Sequence, residues 1–434
     1  MHHNSTLQEK AREIMSRLKE SGFSAFLVGG CVRDLVLSRP PHDFDILTDA
    51  QAEDLQQLFE KVVPVGARHG TVTVVAGNDN FEVSSLPAGG SLESLRKNCS
   101  RRDFTINSMV MDSEGRLQDF FGGIADLKKR IIRAVEDPSA RISEDRLRML
   151  RAVRIFTTLD FTLDQDLLDA IKLQANLICS VSPERIRNEL LQIMAATPGM
   201  QRPGIELLRE TGLLAAVLPE VQRLVGFDQS SVHHKKDAYS HTLDVLENLS
   251  GISDSALLRF TALLHDIGKP GTRSGKQGEF HFYGHPLAGA ELAAGICSRL
   301  RFSRKDSNLI ETLIRDHMHF KLLSLSPTPR ALARFIRKNG SHLSELLMLG
   351  RSDIELESLD WLDQKIQEFR SAFNGSLPAP LLDGLEIMEI LKIPAGANVR
   401  RIKDFLLEEQ IRGVVTTKEE AHRIILQEFG GKFL

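Results

Sequence analysis

Residues 27–34 read Leu27-Val28-Gly29-Gly30-Cys31-Val32-Arg33-Asp34, and Asp43-Phe44-Asp45 follows nine residues after Asp34. The pattern predicts a strand, a glycine turn, a short helix and a second strand over 43–47. Strand side chains alternate between faces, so Asp43 and Asp45 are expected on one face. Glycines before a helix can hold phosphate, and paired carboxylates suit Mg²⁺. Taken singly, the two features fit a tight turn and a solvated edge strand equally well.

The composition indicates a soluble globular chain of several domains. The sequence has 434 residues, of which 42% are hydrophobic and 26% charged. We expect no membrane association, because no apolar run is long enough to span a bilayer. The N-terminal residues have no secretory pattern, and the four cysteines form no CxxC pair, so a reduced, cytoplasmic protein is predicted. The net charge of −3 argues against a globally basic nucleic-acid binder but permits a basic stripe.

A third acid is predicted near the aspartate pair. Residues 71–75 and 81–84 are rich in β-branched residues, and 77–80 are turn formers, so the two segments are expected to form a hairpin. Glu82 lies on the second of these strands. It could share the sheet face of Asp43 and Asp45. Such carboxylates, together with arginines and backbone N–H groups, are what phosphoryl-type transfer requires.

Beyond residue 140 the pattern becomes helical. Ser143 is predicted to cap a helix that continues through Arg154, with acidic residues in its first turn. Further helices are predicted near 183–195, 203–213, 240–249, 255–265, 287–300, 306–316, 328–338, 342–350 and 356–372. Asn374-Gly375 marks a probable boundary before a helical tail. The predicted fold class is α+β, with an α/β head followed by an all-α region.

Two polar clusters follow the acids. In Arg101-Arg102-Asp103-Phe104-Thr105-Ile106-Asn107, the arginines could hold a triphosphate and Asp103 could accept from a ribose hydroxyl. Asp145 and Arg148 are three residues apart, so we expect them on one helix face. They could form a surface ion pair, or the acceptor and donor could read the Watson–Crick edge of a base.

These segments, taken in order, resemble a known family. Gly29-Gly30-x-x-Arg33-Asp34, Asp43-x-Asp45, Arg101 to Asn107, Glu144-Asp145-x-x-Arg148 and Pro183-Glu184-Arg185-Ile186-x-x-Glu189-Leu190 are similar to motifs of class II tRNA nucleotidyltransferases and bacterial poly(A) polymerases. The resemblance implies a nucleotidyltransferase head over 1–140, a helical neck over 141–225, a body over 226–375 and a tail over 376–434. Arg146 and Ser108 depart from residues common in the family, and neither departure removes a group that the chemistry uses.

The resemblance also implies roles for individual residues. It implies a tRNA 3′ end as acceptor, CTP or ATP as donor, and Mg²⁺ on Asp43 and Asp45, with Glu82 as a further catalytic candidate. Asp103 would lie near the ribose, and Asp145 with Arg148 would read the incoming base. The nucleotide-binding candidates are Gly29, Gly30, Arg33, Arg102, Asp103, Asn107, Asp145, Arg148, Arg151 and Arg154.

The segment from Leu86 to Ser100 is the basis for a subtype prediction. Family members that build the whole CCA end, and poly(A) polymerases, usually have a longer flexible loop there. The short segment resembles CC-adding enzymes, which is the subtype we predict. Full CCA addition, and A addition or poly(A) synthesis, stay open as alternatives, because surface loops tolerate deletion.

A second constellation lies in the helical region. Ala262-Leu263-Leu264-His265-Asp266-Ile267-Gly268-Lys269-Pro270 resembles the HD phosphohydrolase superfamily. His241, His265, Asp266 and Asp353 match its ligand set, and His285 and His317 match additional positions. A divalent transition metal is therefore predicted. A rival hypothesis follows, in which the chain is an HD-type phosphohydrolase acting on RNA ends; a non-catalytic RNA-binding protein is a third.

Two basic clusters are candidate tRNA surfaces. Arg330, Arg334, Arg337 and Lys338 are spaced so that most share one helix face. Arg400, Arg401 and Lys403 form the other cluster. Either could equally be a solvated basic face. The sequence does not determine the oligomeric state.

Overall fold

The computed structural model describes residues 2–64, 70–86, 90–229, 237–276, 279–325, 328–353 and 377–431, with 364, 367, 368 and 371 in addition. The chain divides into two compact units, Met1–Val217 and Leu218–Leu434. The predicted division into head, neck, body and tail is finer than this and stays a prediction. No helix in the described ranges has both the length and the apolar character needed to cross a bilayer.

The first unit contains nine strands and eleven helices among its described residues. Its strands are β1 (Ala25–Val28), β2 (Asp45–Thr48), β3 (Val62–Pro64), β4 (Thr71–Ala76), β5 (Asp79–Ser85), β6 (Met109–Asp112), β7 (Leu117–Asp119), β8 (Ile131–Ile132) and β9 (Thr162–Leu163). Its helices are α1 (His2–Glu20), α2 (Gly30–Val36), α3 (Ala52–Leu58), α4 (Leu92–Ser100), α5 (Gly123–Lys129), α6 (Pro138–Glu144), α7 (Arg148–Leu159), α8 (Gln165–Gln174), α9 (Pro183–Met194), α10 (Gln201–Glu210) and α11 (Leu213–Val217).

A seven-stranded sheet brings the sequence motifs of the head together. Its strand order is β3-β4-β5-β2-β1-β6-β7. β1 and β2 run antiparallel, so Val28 at the end of β1 lies opposite Asp45 at the start of β2. β2 and β5 run parallel, which pairs Asp45 with Glu82. The predicted β4–β5 hairpin is confirmed. Val28, Leu47, Leu95, Cys99 and Val110 form a buried cluster under the strands and α4.

The second unit is mainly helical. Its helices are α12 (Pro219–Gln222), α13 (Ala238–Ser250), α14 (Ala256–Leu264), α15 (Lys269–Thr272), α16 (His285–Arg299), α17 (Arg304–Leu325), α18 (Pro329–Asn339), α19 (Leu343–Asp353), α20 (Gly384–Leu391), α21 (Ala397–Ile411) and α22 (Lys418–Phe429). One core contains apolar residues of α13, α14, α17, α18 and α19. A second core contains Ile387, Ile402 and Ile425, from α20, α21 and α22.

The structure corrects two predictions about strands. Asp43 precedes β2, which begins at Asp45. The all-α expectation after residue 140 is incomplete, because β9 pairs with β8 and a short hairpin joins β10 (Ser274–Lys276) to β11 (Glu279–His281). The predicted helix at 356–372 lies mostly outside the described residues. The α/β head followed by a helical region is confirmed.

The predicted helix start at Ser143 is wrong. Asp137 caps α6 by accepting from the Ala140 N–H, and Pro138 occupies the first turn. Aspartate followed by proline is a stronger start signal than Ser143, which therefore falls in the last turn of α6. The next helix, α7, begins only at Arg148. Asp145 lies in the break between them with an extended backbone (φ −145°, ψ 102°).

Candidate active site and candidate metal centre

The glycine turn after β1 lies against two charged side chains. Gly29 has φ +82°, a conformation that L side chains rarely adopt. A Cβ atom on Gly29 would lie 2.6 Å from Arg102 Nη1 and 3.3 Å from Asp45 Oδ2. The Nε of Arg102 is buried and has no hydrogen-bond partner among the described residues. The turn is therefore a cradle with a cation and a carboxylate at its wall, and only glycine fits there.

Three carboxylates gather next to this cradle. Burial, followed by the charges of Asp43 and Glu82, raises the pKa of Asp45 to about 6, although Arg102 acts in the opposite direction. Asp45 and Glu82 are register partners on parallel strands, so their side chains leave the sheet on one face. Carboxylates that repel one another and lie beside this glycine cradle fit a hard divalent cation such as Mg²⁺.

Four further candidate residues form one hydrogen-bonded chain. Arg33 donates from Nη1 to Asn107 Oδ1 at 2.9 Å, and Asn107 donates from Nδ2 to Asp103 Oδ1 at 3.0 Å. Arg151 donates to Asp103 Oδ2 from Nε at 2.8 Å, with Nη2 at 2.6 Å from the same oxygen. The structure thus brings Arg33, Asp103, Asn107 and Arg151 together.

Asp103 is fully engaged in this chain. Its Oδ1 accepts from Asn107 and from the Phe104 N–H, and its Oδ2 lies against two nitrogens of Arg151. A carboxylate has about four acceptor positions, so all of them are in use. A ribose hydroxyl would have to displace one of these donors. The ribose role of Asp103 stays a prediction that requires such an exchange.

Asp145 and Arg148 do not pair with each other. Asp145 accepts from Arg185, with 3.2 Å from Nη1 to Oδ1 and 2.7 Å from Nη2 to Oδ2. Arg148 donates to Glu144 Oε2 at 2.9 Å and to the Arg101 carbonyl at 2.5 Å. The expected common helix face does not exist, because the break between α6 and α7 separates the two residues. Both residues are partly exposed, which leaves their base-reading role open as a prediction.

The last nucleotide-binding candidate, Arg154, faces α9. It donates from Nε to the buried Glu189 Oε2 at 2.7 Å. Arg185 and Glu189 belong to the Pro183–Leu190 motif, but the sequence indicated no partner for either. Their partners are 40 and 35 residues away in the chain. Periodicity within a helix cannot reveal contacts at such separations. The charged residues of the Pro183–Leu190 motif were the only sign in the sequence that this segment has polar partners.

The histidines and aspartates of the second unit converge on one point. His241 Nε2 is 2.9 Å from Asp353 Oδ1, and His265 Nε2 is 3.2 Å from Asp266 Oδ2. The other oxygen of Asp266 is 3.4 Å from His285 Nε2. Two groups of three ligand atoms result, His241–His265–Asp353 and Asp266–His285–His317. Each group has its ligand atoms within 4.8 Å of one another.

The imidazoles are oriented toward this point. The Nδ1 atoms of His265, His285 and His317 each contact a backbone carbonyl, at 2.8, 2.8 and 2.6 Å, so that Nε2 points to the centre. Backbone partners of this kind fix the orientation of metal-ligating histidines. The Nε2 of His265 is buried without a hydrogen-bond partner among the described residues. These residues therefore fit a divalent transition metal.

The charges of the cluster are strongly linked. Burial, followed by the charge of His265, lowers the pKa of His317 to about 4, which keeps its imidazole neutral at pH 7. Burial disfavours the charged form of Asp266, but His265 and Lys269 outweigh it and hold the pKa of Asp266 well below its usual range. A neutral imidazole and an ionised carboxylate are the forms that bind a metal.

Comparisons with known proteins identify three domain matches along the chain. The Poly A polymerase head domain matches residues 25–133, the probable RNA- and SrmB-binding site of polymerase A matches 160–224, and the HD domain matches 238–357. A CC-adding tRNA nucleotidyltransferase of Thermus thermophilus is 33% identical over 428 residues, which are 94% of each chain. The chain belongs to the tRNA nucleotidyltransferase and poly(A) polymerase family.

Other members of this family are similar over different shares of their length. An A-adding tRNA nucleotidyltransferase of Deinococcus radiodurans is 32% identical over 92% of this chain and 94% of the relative. A CCA-adding enzyme of Lactobacillus helveticus is 42% identical, over 42% of this chain and 49% of its own. The crystal structure of a Bacillus stearothermophilus CCA-adding enzyme with CTP has the same fold, with a TM-score of 0.70, 24% identity and 96% coverage of both chains.

In this family member the two predicted basic clusters face each other across one groove of the second unit. The groove has a volume of about 400 Å³ and contains Arg330 and Arg337 of α18, Arg400 and Arg401 of α21, and Phe405. Arg337 pairs with Asp404 at 3.0 Å and with Glu408 at 3.1 Å. Lys338 of the predicted stripe pairs instead with Asp316 at 2.7 Å. The stripe on α18 is therefore partly neutralised.

Proposed function

We propose that this chain is a Mg²⁺-dependent CC-adding tRNA nucleotidyltransferase. It would transfer cytidylate from CTP to the 3′ hydroxyl of tRNA and release pyrophosphate. The observation that carries the proposal is the cluster of Asp43, Asp45 and Glu82 beside the Gly29 cradle, with Arg102 at its wall. Support for the subtype comes from the Thermus thermophilus relative, named as CC-adding, which aligns over nearly the whole chain.

The residues of the head would position the triphosphate. Arg102 faces the Gly29 turn and supplies a cation there, while the backbone N–H groups at the start of α2 supply further donors. Asp43 and Asp45, with Glu82 as a weaker candidate, would hold Mg²⁺, which neutralises phosphate charge and stabilises the attacking and leaving oxygens. Buried partners hold Asp103 and Arg151 in fixed positions next to this region.

Base choice would depend on Asp145 and Arg148. A carboxylate accepts from the exocyclic amino group of cytosine, and a guanidinium donates to the neighbouring ring nitrogen. Adenine has the same order of donor and acceptor, whereas uracil and guanine have the reverse. The pair therefore separates C and A from U and G, but not C from A. The choice between cytosine and adenine would depend on other features, such as the short connection between β5 and α4. Helix α4 spans Leu92–Ser100.

Incorporation into tRNA that lacks its 3′ CCA tests the subtype. The reaction is run with CTP alone, ATP alone and both nucleotides, and the products are sized on a sequencing gel. A stop after two cytidines with both nucleotides present supports CC addition. Addition of the full CCA end, or a long A tract, would assign the chain to one of the alternative subtypes. Loss of all incorporation in Asp43→Ala is expected, and survival of incorporation would show that the assigned site is wrong.

A second candidate function rests on the metal centre of the second unit. We propose that His241, His265, Asp266 and Asp353 would hold a divalent transition metal, which when bound would activate water to cleave phosphoester bonds at RNA ends, with the ester oxygen leaving as a hydroxyl group. The convergence of these histidines and aspartates supports this proposal, with His241 Nε2 2.9 Å from Asp353 Oδ1 and His265 Nε2 3.2 Å from Asp266 Oδ2. Hydrolysis of a model phosphodiester that is lost in Asp266→Asn and retained in Asp43→Ala is the expected result. Absence of hydrolysis in the metal-loaded wild type would reduce this centre to a structural role.

The groove between α18 and α21 is our candidate for the tRNA backbone. Arg400 and Arg401 have no ion pair with another described residue, and Arg330 lies 5.7 Å from the ring centre of Phe405. Unneutralised arginines beside an aromatic ring suit a phosphate backbone. The groove would bind tRNA for the proposed nucleotidyl transfer and would take no part in the chemical step.

A further inference from the structure

The carboxylate of Asp145 is held from outside its own helix pair. Arg185, near the start of α9, contacts both of its oxygens, at 3.2 Å for Nη1–Oδ1 and 2.7 Å for Nη2–Oδ2. The Leu147 N–H also donates to Oδ1, at 3.1 Å. Two-point contact of this kind fixes the plane of a carboxylate as well as its position. Asp145 is therefore oriented before any base arrives.

These contacts leave Asp145 with a restricted set of acceptor positions. A carboxylate offers about two acceptor positions on each oxygen. Arg185 and Leu147 use both positions on Oδ1, whereas Arg185 alone uses one on Oδ2. One position stays open, on Oδ2. A single, oriented acceptor matches one N–H of an exocyclic amino group.

We propose that Arg185 is a positioning residue for base selection, which acts through Asp145 and limits the site to bases with an exocyclic amino donor next to a ring-nitrogen acceptor, as in cytosine and adenine. The inference rests on the proposed nucleotidyltransferase function. Without Arg185 the carboxylate would rotate and be hydrated, so that it could adapt to bases that lack the amino donor. Uridine would then be admitted more readily in place of cytidine.

Helix α9 holds the backbone of Arg185 in place. Pro183 occupies the first turn of α9, and Ile186 and Glu189, one and four residues after Arg185, are buried. Glu189 is in addition bonded to Arg154 of α7. The ion pair itself is about half exposed on the arginine side, 52%, and 32% on the aspartate side. Exposed ion pairs contribute little to stability, so Arg185 can be substituted without unfolding the unit.

The test is a competition between CTP and UTP on tRNA that lacks its CCA end. In Arg185→Gln we expect the ratio of UMP to CMP incorporation to rise about tenfold, the size of one lost hydrogen-bond contact with a base. Arg185→Lys keeps the charge but not the two-point geometry, so an intermediate ratio is expected. Lys172→Gln is the matched control, because it removes another exposed ion pair of the unit, Lys172–Glu210 at 2.7 Å.

A double-mutant cycle distinguishes positioning from a general structural effect. In an Asp145→Ala background, Arg185→Gln should leave the UMP to CMP ratio unchanged, because the residue through which it acts is absent. An unchanged ratio in the Arg185→Gln single variant, or an equal rise in both backgrounds, would overturn the inference. If the wild type adds no cytidine at all, the proposed function itself fails, and the two outcomes cannot be confused.

Discussion

Asp45 of β2 lies directly beside Glu82 of β5, as register partners across the parallel pair of strands. This relationship ranks the three acids. Asp45 Oδ2 lies 3.3 Å from the Cβ position of Gly29, and no atom of Glu82 is among the three nearest to that position. We expect Asp45→Asn to lower CMP incorporation by more than about a thousandfold, because charge stabilisation at the phosphate is the main source of rate in phosphoryl-type transfer.

Glu82→Gln provides the comparison within the same acid cluster. Its loss should cost about tenfold to a hundredfold, because Asp43 and Asp45 still supply two carboxylates. The measurement is single-turnover incorporation of CTP at saturating Mg²⁺. Equal losses in the two variants would contradict the ranking and make Glu82 a full partner of the aspartates.

The Gly29 turn supports a second prediction. Gly29→Ala is expected to raise the KM for CTP and lower the stability of the first unit, because the new Cβ meets Arg102 Nη1 at 2.6 Å in a backbone with φ +82°. The left-handed backbone alone costs an alanine about 1–2 kcal/mol. Gly22→Ala is a matched control, since Gly22 has φ +86° and nothing within 4 Å of the added Cβ. Thermal unfolding reports the backbone effect that both variants share, and CTP kinetics report the loss of the cradle in Gly29→Ala. An unchanged KM in Gly29→Ala would refute the cradle.

The Asp103–Arg151 pair leads to a prediction about pH. Burial disfavours the charge of Asp103, but Arg151 and Asn107 outweigh it and hold its pKa below the ordinary value. The unfolded chain therefore binds the proton more readily, so this carboxylate stabilises the fold above its unfolded pKa of about 3.9. At pH 7 we expect Asp103→Asn to lower the free energy of unfolding by about 3 kcal/mol, because Arg151 would lose its buried partner. The variant should therefore unfold at a lower temperature than the wild type.

The difference between these two proteins should shrink as the pH falls from about 4 through the lower folded pKa of Asp103, where both forms are neutral. Thermal unfolding followed at pH 7, 5, 4 and 3 measures this change. A difference that is constant with pH would mean that Asp103 contributes through shape and not through charge.

Metal removal tests the centre in the second unit. Asp266 has one oxygen toward each of the two groups of ligand atoms, so Asp266→Asn should release bound metal from both. The expected result is a loss of metal by elemental analysis and a lower unfolding temperature, with CMP incorporation retained. His319→Ala is a control, because His319 pairs with Asp316 and is absent from both groups. Equal metal content in wild type and Asp266→Asn would reject the centre.

The groove between α18 and α21 gives a prediction about tRNA binding. Reversing Arg400 and Arg401 to Glu should weaken tRNA affinity and reduce the slope of log Kd against log salt by about one per lost phosphate contact. Arg337→Glu should instead destabilise the unit, because it sets a third carboxylate against Asp404 and the buried Glu408. Arg423→Glu, outside the groove, is the charge-matched control for each single reversal. Unchanged affinity in the Arg400 and Arg401 variants would exclude this surface.

Features that depend on residues close together in the chain were predictable from the sequence. The turn at Gly29, the strand that contains Asp45 and the β4–β5 hairpin all follow from short-range alternation and turn chemistry. The helix start at Ser143 was missed because Asp137 and Pro138, a few residues earlier, cap α6 first. That one shift separated Asp145 from Arg148.

Contacts between distant segments were not predictable in the same way. Arg185 reaches Asp145 and Glu189 reaches Arg154 only because α9 packs against α7. The spacing of residues along one helix contains no information about which charged side chain a second helix will place opposite. The convergence of His285 and His317 on Asp266 likewise required the packing of α16 against α17.

The antiparallel pairing of β1 with β2 has an evolutionary consequence. Residues 25–48 contain the glycine turn and both aspartates on one continuous stretch, so a single recombination event would transfer them together. Asp145 precedes α7, Arg148 begins it and Arg185 belongs to α9, so the three residues cannot be inherited as one short segment. Point mutation in the helical region can therefore change which base is chosen, while the glycine turn and the aspartate pair are inherited together.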